Sequence, residues 1–331
     1  MSHQVNPQRY NAGMQYARCG QSGVLLPKVS LGLWHNFGQL TPYDRSRDIL
    51  LTAFDQGITH FDLANNYGPE PGDAERRFGK ILHEDLAAYR DELFISTKAA
   101  YDMWEGPYGN WASRKHLMAS LDQSLQRMGL EYVDLFYCHR YDPETPLEET
   151  LQTLVDIVRS GKALYIGISR WPLHALKVAE QYLREHDTPM LIFQDKLNML
   201  NRGPIEGGQL DELGRTHRGF ISFSPLAQGL LTDRYLNGIP EGSRMTQEHF
   251  LKSSTLTPEL LDQLRQLHQL AQQRGESLAQ MALAWIFHRP EVTSVIVGAS
   301  STQQLLQNLT VLNSAPFTQE ELQQIDKILH Y

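Results

Sequence analysis

The sequence predicts a (β/α)8 TIM barrel, an α/β fold, and three features carry that prediction. Short β-branched runs alternate with longer stretches of helical period. Eight such runs follow an initial hairpin, each succeeded by a helical stretch. No Pro/Gly/Ser-rich linker or low-complexity tract divides the chain. Strands alternating with helices pair in parallel through crossovers, which a doubly wound sheet or a closed barrel satisfies. The count of eight favours the barrel, whose functional residues gather at the C-terminal strand ends. Residues 14–331 read as one domain behind a polar N-terminal extension, residues 1–13.

In chain order, residues 14–19 and 24–29 flank a Gly-bounded turn and predict an N-terminal β-hairpin. Barrel strands are expected at 30–33, 59–63, 93–97, 133–137, 163–168, 191–194, 220–223 and 294–297. Helical spacing covers 43–56, 73–83, 114–128, 146–159, 172–184, 211–218, 258–274 and 277–287. The stretch 114–128 shows the basis: Leu117, Leu121, Leu125 and Met128 fall on one face. Gly57, Gly129, Gly161 and Gly219 punctuate helix ends. Two connections exceed ordinary length and belong to the C-terminal face of the barrel, 99–113 and 224–257. The first carries Tyr101, Trp104, Tyr108 and Trp111, which suits a substrate wall; aromatics that only staple the loop down are the alternative.

Composition narrows the function. With 41% hydrophobic residues in 331, a sizeable core can form. A net charge of -8 gives no basic footprint for nucleic acid or an anionic membrane. The polar start lacks a signal-peptide core, and no apolar run approaches the ~20 residues of a membrane span. Cys19 and Cys138 form neither a disulfide framework nor a metal cluster, so a reduced, cytoplasmic setting without a bound metal is expected.

The first barrel strand leads into GLWHNFG, not the glycine fingerprint of doubly wound dinucleotide sites. A dinucleotide would bind by another arrangement. Four polar residues stand at or just past strand ends: Asp62, Tyr67, Lys98 and His139. In a barrel those ends converge. A free tyrosine, with a pKa of about 10, is a poor acid at neutral pH, but a neighbouring lysine cation lowers that value. An aspartate behind the lysine fixes it, and a histidine can orient a carbonyl oxygen. The set can give a proton to oxygen as hydride reaches carbon. Taken singly, each residue is explained better by a structural ion pair or a rim contact; their joint occurrence on one rim points to chemistry.

The runs GITHFDLANNYGP, LFISTK and YVDLFYCHR closely resemble the aldo-keto reductase superfamily, and the resemblance extends over residues 16–328. SLGLWHNFG, YDMWEGPYGN and SPLAQGLLTDRYLNGIPEGSRM resemble the bacterial branch that includes L-glyceraldehyde 3-phosphate reductase, related to β subunits of voltage-gated potassium channels. The resemblance implies an NADP-dependent oxidoreductase that uses NADPH to reduce small aldehydes such as L-glyceraldehyde 3-phosphate or methylglyoxal, in an assembly larger than a monomer. It implies Tyr67 as general acid, Lys98 as its pKa-lowering partner, Asp62 as the anchor of Lys98 and His139 as the carbonyl-orienting residue. Trp34 would wall the site, with Trp104 also on the substrate side. Ser169 and Gln194 would hold the nicotinamide carboxamide, and Phe223, Ser224, Leu226 and Gln228 would line the ring and pyrophosphate. The segment VGASSTQQLLQN reads as a strand, a Gly298 turn and a capped helix, which without the resemblance is an ordinary N-cap. With it, Ser300, Gln304, Gln307 and Asn308 would meet the adenosine end and its 2′-phosphate, with charge from Arg234 and Arg244.

Four residues depart from the pattern. Ser301 stands where relatives often carry a basic residue, which loosens strict NADPH preference. Phe223 replaces a common Trp or Tyr and cannot donate a hydrogen bond. Asp195–Lys196 replace the usual Gln-Pro and a small or polar residue, which leaves the local geometry open. Arg114, Lys115 and Arg140 are candidate charges for a substrate phosphate, with solvated surface roles as the alternative. Two rival functions stand beside the reductase: a nicotinamide-binding, redox-sensing regulatory subunit with slow turnover, and a barrel lyase or isomerase using Lys98 as a Schiff base.

Overall fold

The computed structural model describes residues 3–240, 243, 245–246 and 251–331. β1 (Tyr16–Arg18) and β2 (Leu25–Pro27) pair antiparallel as the expected hairpin. The barrel strands are β3 (Val29–Gly32), β4 (His60–Asp62), β5 (Phe94–Ala99), β6 (Val133–Cys138), β7 (Ala163–Ser169), β8 (Ile192–Lys196), β9 (Gly219–Phe223) and β10 (Val292–Val297). They run parallel in sequence order and close where β10 meets β3, Val295 opposite Val29. The expected barrel is the observed one.

Helices α1 (Tyr43–Asp55), α2 (Asp73–Ile81), α3 (Arg114–Met128), α4 (Leu147–Arg159) and α5 (Leu173–Glu185) follow β3 to β7 in turn. α6 (Gly203–Glu206) and α7 (Gln209–Thr216) lie between β8 and β9. α8 (Pro258–Gln273) and α9 (Leu278–Phe287) precede β10, and α10 (Thr302–Leu309) and α11 (Gln319–Leu329) follow it. Local chemistry sets the ends. The Ser113 hydroxyl accepts the His116 N–H to open α3, and Gly129, at φ 67°, closes it in a conformation that a side chain would strain. α11 lies beyond the helices the spacing predicts; Thr318 and Glu321 form the reciprocal capping box that starts it.

The hairpin plugs the N-terminal end of the barrel. Cys19, Val24 and Leu26 pack with Leu135, Ile192, Ile221 and Ile296 from the strands. The approach is close: a Cβ on Gly219 would lie 2.2 Å from Cys19 Sγ, so only glycine fits there. Residues ahead of the hairpin also dock on the barrel. The Asn6 N–H donates to Asp55 Oδ1 at 2.8 Å, the His3 N–H to Asp85 Oδ1 at 3.1 Å, and Arg9 pairs with Glu92. With that end filled, the opposite end is where strand termini and long loops leave polar groups. No helix among the described residues is long and apolar enough to cross a membrane.

Candidate active site

Asp62 ends β4 and Lys98 lies one residue before the end of β5, so the two side chains meet inside the C-terminal rim. Lys98 is fully buried and Asp62 nearly so. The three N–H groups of the ammonium have three acceptors: Asp62 Oδ2 at 2.6 Å, the Leu63 carbonyl at 2.6 Å and the Tyr67 hydroxyl oxygen at 3.3 Å. A lysine with every donor engaged is held as a cation and offers no lone pair to a carbonyl, which argues against the Schiff-base reading. Because Tyr67 oxygen accepts from Lys98, the phenol's own proton is directed elsewhere.

Asp62 is fixed from both sides. Its Oδ1 accepts the Ser96 hydroxyl at 2.8 Å and Gln194 Nε2 at 3.2 Å. Ser96 also meets His60 Nε2 at 3.0 Å, and His60 Nδ1 lies 2.9 Å from Ser30 Oγ. Since Ser96 spends its proton on the carboxylate, it accepts from His60, which fixes the imidazole as the Nε2–H tautomer. His60 is buried and its pKa is pushed down to about 4, chiefly by desolvation, with Asp62 opposing and Lys98 adding to the shift. Desolvation keeps His60 neutral, and Ser30 Oγ can then donate to its Nδ1.

His139 follows β6, its ring edge-on to Tyr67 at 5.8 Å between centroids. Burial, then the charges of Lys98, Arg170 and Arg140, holds its pKa well below the usual histidine range. The imidazole is therefore neutral and able to donate one hydrogen bond, and its Nδ1 is buried without a partner among the described residues. Trp34 lies tilted beside Tyr67, with centroids 6.2 Å apart.

The expected lowering of the Tyr67 pKa is corrected here. Burial, reinforced by Asp62 and Tyr101, pushes the phenol well above its ordinary value, so desolvation outweighs the lysine. Lys98 itself is shifted down by burial, against the opposing pull of Asp62. Tyr67 keeps its proton through neutral pH.

The Aldo/keto reductase family model matches residues 28–330. The chain belongs to that family. It is 57% identical over 327 residues to L-glyceraldehyde 3-phosphate reductase of Escherichia coli O157:H7, covering 98% of this chain and 94% of that protein. The same-named protein of Escherichia coli strain K12 is 56% identical over the same shares. A probable voltage-gated potassium channel subunit beta of Oryza sativa is 34% identical over 95% of each chain. Membership makes the chain an oxidoreductase of a family that generally uses NAD(P)H.

Within this aldo/keto reductase the remaining sequence-selected residues fall on one rim. Ser169 ends β7 and stands opposite Gln194 of β8 in register. Ser169 Oγ and both side-chain polar atoms of Asn65 are buried without a partner among the described residues. After β9, Ser224 (φ 49°), Ala227 (φ 47°) and Gln228 (φ 59°) all adopt left-handed backbone, and Leu226 packs on the core. Non-glycine residues in that conformation cluster where a ligand is gripped. Phe223 ends β9, half-buried.

At the start of α10, Ser301 caps the helix by accepting the Gln304 N–H at 3.2 Å, while Ser300 Oγ donates to Gln304 Oε1 at 2.9 Å. Asn308 is buried with its Nδ2 unpaired among the described residues, and Gln307 lies one residue before it. Gly298 has open space where a side chain would be. Arg234 is exposed on the connection after β9. Arg244 lies outside the described residues. The open question at Asp195–Lys196 is resolved: β8 continues through both, opposite Ser222 and Phe223, with Asp195 Oδ1 accepting the Lys196 N–H at 2.7 Å. Half-buried there, Asp195 has its pKa raised to about 6 by desolvation.

The loop between β5 and α3 differs from expectation in detail. Trp104 lies tilted against His116 with centroids 4.8 Å apart, and the loop aromatic that touches His139 is Tyr101, ring edge-on at 4.7 Å. Arg114 pairs with Asp156, and Lys115 lies over Tyr108 at 5.2 Å. Sequence reasoning placed Tyr101 on the substrate-wall loop without distinguishing it there, and it missed Asn65, His60 and Ser96. The signal for the last two was their place: each lies two residues before Asp62 or Lys98, on the same face of its strand. Among the described residues no cluster could hold a metal ion.

Proposed function

We propose that this aldo/keto reductase reduces small aldehydes to alcohols with NADPH, L-glyceraldehyde 3-phosphate and methylglyoxal among its substrates, and with Tyr67 as general acid. The observation that carries the reading is the hydrogen bond from Lys98 to the Tyr67 oxygen, backed by the buried Asp62. It leaves the phenol proton pointing at the substrate. Neutral His139 donates to the carbonyl oxygen and sets its angle, and Trp34 beside Tyr67 helps exclude water.

The cofactor supplies the hydride when bound. Orphaned polar atoms at Ser169, opposite Gln194, and at Asn65 fit an amide that both donates and accepts, as a nicotinamide carboxamide does. Phe223, Ser224, Leu226 and Gln228 would line the ring and pyrophosphate. Gly298, Ser300, Gln304, Gln307, Asn308, Arg234 and Arg244 would hold the adenosine end. As negative charge develops on the carbonyl oxygen, that atom becomes far more basic than a phenolate, so even a raised phenol transfers its proton. Lys98 then stabilises the tyrosinate left behind.

The relatives named as channel β subunits support a second reading, a nicotinamide-binding regulatory subunit that turns over slowly. One assay separates the two. NADPH consumption is followed with methylglyoxal and with glyceraldehyde 3-phosphate, for wild type and Tyr67→Phe. Turnover that falls ~10²–10⁴-fold in the variant supports general acid catalysis by Tyr67. NADPH binding without turnover favours the regulatory reading, and absence of both sinks the nicotinamide reading.

A further inference from the structure

Three side chains form a platform beside His139. The Tyr101 ring stands edge-on to the imidazole, and two guanidinium groups converge on the same ring. Arg140 lies 4.4 Å from the Tyr101 centroid and 3.8 Å from that of Trp111, held between the two rings. Its Nε donates to the Ala100 carbonyl at 2.9 Å, and one terminal nitrogen donates to Asn110. Arg170 approaches from the next strand end, and its Nη1 donates to the Tyr101 hydroxyl at 2.8 Å.

The two arginines directly follow the site residues His139 and Ser169 on neighbouring strands. Arg170 sits in left-handed backbone, φ 60°, and its N–H is tied to the Gln194 carbonyl at 3.1 Å. Strain at a non-glycine residue on the rim of a site is a feature that function accounts for better than folding does. Neither guanidinium forms an ion pair with a described carboxylate, whereas Arg114, Arg127, Arg202 and Arg218 do. Asp195 feels the charge of Arg170 without pairing with it. Two cations without a carboxylate partner thus stand one aromatic ring away from the carbonyl-orienting histidine.

We propose that Arg140 and Arg170 bind a phosphate carried by the aldehyde, holding it at the edge of Tyr101 while its carbonyl lies between Tyr67 and His139. Each guanidinium keeps free in-plane N–H groups for phosphate oxygens, and stacking fixes the Arg140 plane in advance. The Tyr101 hydroxyl accepts from Arg170, so its own proton is available to a third oxygen. One ring's width between the cations and His139 matches a short chain between phosphate and carbonyl, such as that of a triose phosphate. The assignment rests on the reductase reading and specifies its substrate class.

The test compares kcat/KM for glyceraldehyde 3-phosphate with that for unphosphorylated glyceraldehyde in the full chain with NADPH. Wild type prefers the phosphorylated aldehyde, and Arg170→Ala or Arg140→Ala lowers the ratio by ~10–100-fold, the loss expected for a charge-assisted contact. Arg170→Lys, which keeps the charge but not the fork, falls between. A ratio unchanged in both alanine variants overturns the proposal. Binding of glycerol 3-phosphate, measured by calorimetry, needs no turnover: binding to wild type that is lost in the Arg170→Ala chain supports the site even if every aldehyde proves inert and the reductase reading fails. No glycerol 3-phosphate binding to wild type, with no preference for the phosphorylated aldehyde, overturns it whatever the arginine variants do.

Discussion

Lys98 Nζ lies 2.6 Å from Asp62 Oδ2, and neither side chain reaches water. A buried ion pair of this kind is a poor stabiliser compared with apolar residues of the same volume, yet breaking one side of it is costly. Lys98→Met alone should therefore lose ~3–5 kcal/mol in urea unfolding, because it leaves Asp62 as an uncompensated anion. Adding Asp62→Leu should recover most of that loss. Aldehyde reduction should stay abolished in both. Recovery of activity along with stability would show that the pair serves the fold and not Tyr67.

His60 provides a pH test with a defined sign. Its folded pKa of about 4 lies below the ordinary histidine value, so the unfolded chain binds the proton more readily. Stability is therefore highest above pH ~6.5 and is lost as pH falls from there toward about 4. The shift corresponds to roughly 3 kcal/mol once the whole window is crossed. His60→Gln cannot ionise, so its stability difference between neutral and mildly acid pH should be smaller than that of wild type. Equal acid sensitivity in the two proteins, by urea titration at each pH, would count against the buried neutral imidazole.

The strand ends were legible because a parallel barrel imposes a simple rule: polar residues that break an apolar run at its C-terminal end face the same space. Asp62, Lys98 and His139 obey it, and Tyr67 follows closely enough to be drawn in. Loop residues obey no such period. Nothing in the run from residue 99 to residue 113 distinguishes Tyr101 from Trp104, and only the fold shows which one reaches His139. The raised Tyr67 pKa is hidden from the sequence for a related reason, since charge can be read from residue types but burial cannot. Strand β8 ran on through Asp195 and Lys196 because ladder pairing uses the backbone, whatever the side chains.

Glu75 supports Lys98 from outside the barrel. It is fully buried, pairs with Arg127 Nε at 2.7 Å and accepts the Thr97 hydroxyl at 2.6 Å, one residue before the lysine. Glu75→Ala removes the partner of one charge and the acceptor of a buried hydroxyl. A loss of ~3–5 kcal/mol is expected, read as a lower midpoint in urea with the slope unchanged. A change below ~1 kcal/mol would mean that Arg127 finds water or another partner at no cost.

Ser301 poses a trade between helix stability and cofactor choice. Its hydroxyl caps α10 at the end proposed to hold the 2′-phosphate. Ser301→Arg gives up that cap, which should cost ~1 kcal/mol and lower the melting temperature slightly. It also adds a cation where a phosphate distinguishes NADPH from NADH, and a charge-assisted contact there should raise the NADPH-to-NADH affinity ratio by about tenfold or more. Fluorescence titration with each cofactor reads the ratio independently of turnover. A lower melting temperature with an unchanged ratio would place the 2′-phosphate away from the start of α10, and Ser300 and Gln304 would then be structural caps alone.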